Sequence, residues 1–153
     1  MDAYTIALTL LSRRELSIAQ LRERLVRRGC PSASIDRAVE RLTADGTLDD
    51  RRVALAAART ATLKGRGRRR AVHDLERLGI DAALAAAAVD EVFGEIDERA
   101  LLDRAIERRL KGAAPASLDA RGKARLVRGL VARGFEPGAV FARLRQRGAD
   151  PDE

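Results

Sequence analysis

Three glycines, Gly29, Gly79 and Gly134, lie 50 and 55 residues apart, and each closes the same local pattern. An amphipathic helical stretch runs into the glycine, an apolar residue follows, and a second helix starts just beyond. In the first copy Leu21, Leu25 and Val26 precede Gly29, with Cys30, Pro31 and Ser32 after it. In the second, Val72, Leu75 and Leu78 lead to Gly79, Ile80 and Asp81. In the third, Leu126, Leu130 and Val131 lead to Gly134, Phe135, Glu136 and Pro137. A glycine after a helix takes the left-handed conformation without a Cβ penalty, and the next apolar residue packs back on the helix. Ser32 or Asp81 can then cap the helix that follows. Ser17 and Gln20 form a capping box before the first copy, with Leu16 and Leu21 at the staple positions.

A further helix precedes each pair, over roughly residues 3–14, 50–63 and 96–110, with Asp49 or Asp50 able to cap the second of these. The period therefore predicts nine helices in three tandem three-helix repeats, at 1–48, 49–94 and 95–153. Aromatic residues are only 3% of the chain (Tyr4, Phe93, Phe135 and Phe141), so the core must come from Leu, Val, Ile and Ala. That composition favours closely packed helices over a β-sandwich, and the expected class is all-α. Each unit is small enough that neighbours should share apolar contact. At about 25 Å per unit, three in a row make an elongated, curved rod of about 75 Å.

The net charge is +7, and only Lys64, Lys111 and Lys123 of its thirty basic residues are lysines. Arginine forks suit carboxylates and phosphates, so an acidic protein surface or a nucleic acid is the expected partner. Basic residues outnumber acidic ones most clearly toward the C-terminal end, 12 against 7 over residues 101–153. Helical periodicity places Arg24 and Arg27 on the outer face of the first middle helix, Arg69, Arg70, His73 and Arg77 on the second, and Arg125 and Arg128 on the third. Lys123 lies beside the last pair. The densest run joins two helices: Lys64, Arg66, Arg68, Arg69 and Arg70, interleaved with Gly65 and Gly67. Its glycines allow close backbone approach, and like charges crowding a helix start are unfavourable without an anion. These basic residues are the candidate binding residues for a protein or nucleic-acid partner.

No catalytic grouping emerges. His73 lies on a polar helix face without a nucleophile nearby in sequence. Gly122-Lys123 fails as a phosphate-binding loop, because Ser117 stands where the first glycine belongs and Ala124 replaces the magnesium-binding hydroxyl. Asp49-Asp50 and Asp97-Glu98 read as helix caps rather than metal ligands. Cys30, the sole cysteine, excludes an internal disulfide and a thiolate zinc cluster, and its apolar position suggests a buried thiol. No cofactor or metal is expected. No apolar run reaches membrane-spanning length and no signal pattern opens the chain, so the expected setting is a monomer in a reducing cytoplasm.

Several segments together resemble the RecX family of recombinase regulators. The opening stretch from Ala7 to Leu25 is similar to the family's first repeat. Arg41 to Ala54 resembles its pattern of a Leu, a Gly, an apolar pair, two acidic residues and Arg-Phe-Ala, carried here by Leu42, Gly46, Leu48, Asp49, Asp50, Arg52, Val53 and Ala54. A Lys-Gly joint then leads to Asp74-Leu75-Glu76-Arg77-Leu78-Gly79-Ile80, and the third repeat matches from Lys123 to Phe135. Two positions depart. Val53 replaces the usual aromatic, which implies a smaller core there, and Gly65-Arg66-Gly67 lacks the joint's frequent proline.

The resemblance implies a non-enzymatic protein that binds in the groove of the RecA–DNA filament. It implies inhibition of RecA's ATP hydrolysis, strand exchange and co-protease activity, and so modulation of recombination, DNA repair and the SOS response. Single- or double-stranded DNA would be a second contact. The residues themselves leave a rival open: a basic helical protein that binds DNA non-specifically, without RecA.

Overall fold

The computed structural model describes residues 2–148. Among the described residues there are nine α-helices and no strand: α1 (Ala3–Arg13), α2 (Ile18–Arg27), α3 (Ser32–Ala44), α4 (Asp50–Leu63), α5 (Arg68–Arg77), α6 (Ala82–Phe93), α7 (Glu98–Leu110), α8 (Ala120–Ala132) and α9 (Pro137–Gly148). A single 3-10 turn, Pro115–Ser117, separates α7 from α8. The first helix of each triplet opens on an aspartate. Asp2 accepts from the Thr5 N–H at 2.8 Å, Asp49 from Arg51 N–H at 3.0 Å and Asp97 from Ala100 N–H at 3.0 Å. These caps satisfy donors that the helix leaves unpaired.

Every middle helix ends in the same turn. The N–H of Cys30, Ile80 and Phe135 reaches back to the carbonyl of Leu25, Leu75 and Leu130, at 3.1, 3.3 and 3.2 Å. The preceding glycines sit at φ +80, +81 and +106°. The capping box at Ser17 and Gln20 is present, with Gln20 N–H donating to the Ser17 hydroxyl at 3.1 Å and Ser17 N–H to the Gln20 amide oxygen at 3.0 Å. Asp81 caps α6 as expected. Ser32 does not cap α3: Pro31 holds that position, which puts Ser32 inside the first turn. Asp49, not Asp50, caps α4. Cys30 is half-buried rather than buried, because the turn places it at the rim of the first apolar cluster.

The helices pack in triplets, α1–α3, α4–α6 and α7–α9. Leu21, Leu25, Ile35, Leu42 and Leu48 centre one apolar cluster. A second runs without a break through the other two triplets, from Val53 and Leu75 to Phe93, Ile106, Leu130 and Val140. The accessible surface, 9413 Å², exceeds the roughly 7,600 Å² of a compact monomer of this mass, as an elongated array requires.

Successive triplets meet through the same contact. At the first seam the Ser17 hydroxyl donates to the Leu78 carbonyl, Ile18 N–H to the Asp50 carboxylate at 2.8 Å, and Arg52 pairs with Glu15. Ala19 presses on Gly79 where a Cβ would stand. At the second seam Gly67 N–H donates to the Arg133 carbonyl at 2.9 Å and Arg69 N–H to the Gly134 carbonyl at 3.1 Å. Ser17 and Gly67 are the N-caps of α2 and α5, while Leu78 and Arg133 are the C-caps of α5 and α8. The start of each middle helix therefore abuts the glycine turn that ends the next one.

Two stability predictions follow from these contacts. A Cβ on Gly134 would lie 2.5 Å from the Arg70 amide nitrogen, whereas one on Gly29 meets nothing within 4 Å. Gly29→Ala should cost only the left-handed backbone strain, about 1–2 kcal/mol. Gly134→Ala adds overpacking at the seam and should cost about 3 kcal/mol or more, measured by urea denaturation; equal losses would refute a close seam.

In the third triplet Asp103 of α7 accepts from Arg143 of α9 at 2.6 and 2.7 Å, and Arg147 lies 3.5 Å away. The Arg143 hydrogen bonds hold the Asp103 carboxyl below its ordinary value of 3.8, against the opposing push of burial. A depressed carboxyl stabilises the fold above its unfolded pKa, and that contribution disappears as pH falls through the folded value. Thermal melting should therefore drop below about pH 4, the range just under the ordinary value. Asp103→Asn should melt lower at neutral pH and fall less steeply across that acid range.

Candidate partner interface

The middle helices carry the basic side chains that the sequence singled out. On α2, Arg24 is half-exposed and has no carboxylate partner, while Arg27 is exposed and pairs with Glu23 at 2.6 Å, one turn away. On α5, Arg77 is exposed in the last turn. On α8, Lys123, Arg125 and Arg128 are all exposed. Because α2, α5 and α8 meet end to end at the two seams, these side chains lie on consecutive segments of one line of helices.

The joint between α4 and α5 is organised differently from its neighbours. Arg66 and Arg70 converge on Asp74, at 2.6 and 3.0 Å. Burial raises the Asp74 carboxyl, but the hydrogen bonds from Arg70 and Arg66 outweigh it and leave the group below its ordinary value. Arg68 bridges Asp90 of α6 and Glu98 of α7, with its guanidinium 5.5 Å above the Phe93 ring. These three arginines hold the fold: two close the turn into α5, and the third ties the second triplet to the third. Lys64 and Arg69 remain exposed, without a carboxylate within 4.0 Å among the described residues. The same holds for Arg24, Arg77, Lys123, Arg125 and Arg128. Arg69 also supports the cap of α9, where the N–H groups of Ala139 and Gly138, and more weakly Arg69, lower the Glu136 carboxyl.

A second basic grouping was not anticipated from the sequence. Arg108 and Arg109, in the last turn of α7, and Arg133, the C-cap of α8, line one cleft with Ala105. An arginine pair at a helix end reads in sequence as a complement to the helix dipole. The available signal was Gly129, an isolated glycine within a helix, which marks a close approach. The Arg109 guanidinium occupies the space that a side chain at Gly129 would take.

His73 is exposed on α5. Among the described residues no group of three or more His, Cys, Asp or Glu is arranged to hold a metal. No described helix is long and apolar enough to cross a membrane.

The family model described as RecX, first three-helix domain, matches residues 3–42. The regulatory protein RecX of Syntrophotalea carbinolica is 35% identical to this chain, over 92% of each sequence. That of Pelodictyon phaeoclathratiforme is 33% identical over 99% of this chain and 94% of its own length. A crystal structure of RecX from Lactobacillus salivarius shares the fold at a TM-score of 0.79 and 17% identity, covering 97% of this chain and 96% of that one. With three helix triplets in series and this sequence identity along nearly its whole length, the chain belongs to the RecX family of regulatory proteins.

Proposed function

We propose that the protein binds along the RecA–DNA filament and inhibits RecA's ATP hydrolysis, strand exchange and co-protease activity, without catalysing a reaction itself. The observation that carries this reading is the end-to-end line of α2, α5 and α8. It supplies unpaired basic side chains in every module: Arg24 in the first, Arg69 and Arg77 in the second, and Lys123, Arg125 and Arg128 in the third. A filament repeats its own surface, so a rod with repeated contacts engages several subunits at once. Contacts that are individually weak then add through effective concentration. Occupying the groove keeps the homologous duplex out and favours filament disassembly.

Exposed charges cost little to remove, which makes them better probes than the paired arginines of the α4–α5 joint. Arg77, Arg125 and Arg128 form no ion pair in the described structure. In a DNA-dependent ATPase assay with the cognate RecA, the wild-type protein should inhibit at substoichiometric amounts. The Arg77→Ala, Arg125→Ala, Arg128→Ala triple variant should need about tenfold more protein for half inhibition, equivalent to about 1.4 kcal/mol of binding, with unchanged helix content by circular dichroism. No inhibition by the wild type even at excess, together with salt-sensitive binding to bare DNA, would replace this reading with the non-specific DNA-binding alternative.

A further inference from the structure

The cleft between α7 and α8 gathers three guanidinium groups and no carboxylate. Its volume is about 240 Å³, and its lining is Ala105, Arg108, Arg109 and Arg133. Arg108 and Arg133 both reach over the backbone of Gly65: a Cβ there would lie 3.0 Å from Arg108 Nη1 and 3.4 Å from Arg133 Nη2. Arg109 lies flat against Gly129 of α8. Arg133 donates to the carbonyl of Lys64, the C-cap of α4. Neither Arg108 nor Arg109 has an ion-pair partner among the described residues.

This arrangement is unlike the rest of the molecule. Elsewhere the chain supplies acids for its clustered arginines, as Asp74 does for Arg66 and Arg70, and Asp103 for Arg143 and Arg147. Here it brings three cations from two helices to one cleft and leaves the repulsion uncompensated. A guanidinium fork is matched by an oxyanion, and several forks from different directions exceed what one planar carboxylate accepts. A phosphate group, with tetrahedral oxygens, can accept from all of them. Arg109 also lines the adjoining cleft with Arg125 of α8, so the basic lining continues along the α7–α8 seam. A single isolated anion would not need that continuation; consecutive phosphates of a strand would.

We propose that the α7–α8 cleft is a phosphate-binding site, in which Arg108, Arg109 and Arg133 hold a backbone phosphate of a nucleic-acid strand. The assignment is independent of RecA binding, and its test is made on this protein alone.

Binding of a labelled oligothymidylate to the full chain, followed by anisotropy over a series of salt concentrations, reads the site directly. Arg108 and Arg109 are exposed and carry no hydrogen bond that the fold needs, so Arg108→Gln with Arg109→Gln leaves the structure intact, checked by circular dichroism and thermal melting. Arg13→Gln with Arg14→Gln, exposed at the end of α1, removes the same charge elsewhere. The cleft variant should bind about tenfold more weakly, with its salt slope reduced by about 1.4 for two phosphate contacts to a single strand. The α1 variant should stay within about twofold of wild type, and pyrophosphate at constant ionic strength should compete far less well than the strand. Wild-type affinity and slope in the cleft variant would overturn the site. So would an equal loss in both variants, since charge alone would then explain the binding. Competition by polyglutamate as strong as by the strand would reassign the cleft to an acidic protein surface. Pyrophosphate competing as well as the strand would reassign it to free small anions. Either result defeats the proposal as stated.

Discussion

The shape of this protein depends on how the start of one middle helix is laid against the end of the next. A helix start presents unpaired N–H donors with partial positive charge, and a helix end presents unpaired carbonyls with partial negative charge. The second seam joins these directly, through the N–H groups of Gly67 and Arg69 and the carbonyls of Arg133 and Gly134. The first seam uses a side chain for the same purpose, with the Ser17 hydroxyl on the Leu78 carbonyl. Neither contact tolerates bulk. A Cβ on Gly67 would stand 2.5 Å from the Gly134 carbonyl oxygen, and Ala19 already fills the space above Gly79. The left-handed glycines thus end a helix and also clear room for the next module.

The two seams are not equally strong. Between the first and second triplets the contacts are polar: Glu15 with Arg52, Ile18 with Asp50, and Ser17 with Leu78. The first triplet keeps an apolar cluster of its own. Between the second and third, the polar contacts lie beside one continuous cluster that includes Leu75, Phe93, Leu102 and Phe135. Exposed ion pairs contribute little individually, whereas buried apolar side chains contribute a few kcal/mol each. The second and third triplets are therefore bound as one body, and the first is held to them mainly by directional polar contacts.

Arginine serves two purposes here, and the acids decide which. Where Asp74, Asp90, Glu98 or Asp103 lies opposite, the guanidinium ties helices together. Where none does, as along α2, α5 and α8 and in the α7–α8 cleft, the charge remains available to something outside the chain. An abundance of arginine thus supports both an elongated fold poor in aromatic residues and a surface suited to anionic partners.

The helices, their caps and the module period were legible in the sequence because each is set by residues within a few positions of one another. Ser17 and Gln20, Asp97 before α7, and the glycine with its following apolar residue all act through local hydrogen bonds. The all-α class and three-module order follow from those signals repeated. Which arginines are free was not legible. The run from Lys64 to Arg70 looks uniformly available in sequence, yet Arg68 is taken by acids 22 and 30 residues away, and Gly67 by a turn near residue 134. Arg108, Arg109 and Arg133 gained significance only when α7 and α8 brought them to one cleft. Local bonding chose the elements from the sequence alone, while pairing of charges across seams, between residues far apart in the chain, required the tertiary structure.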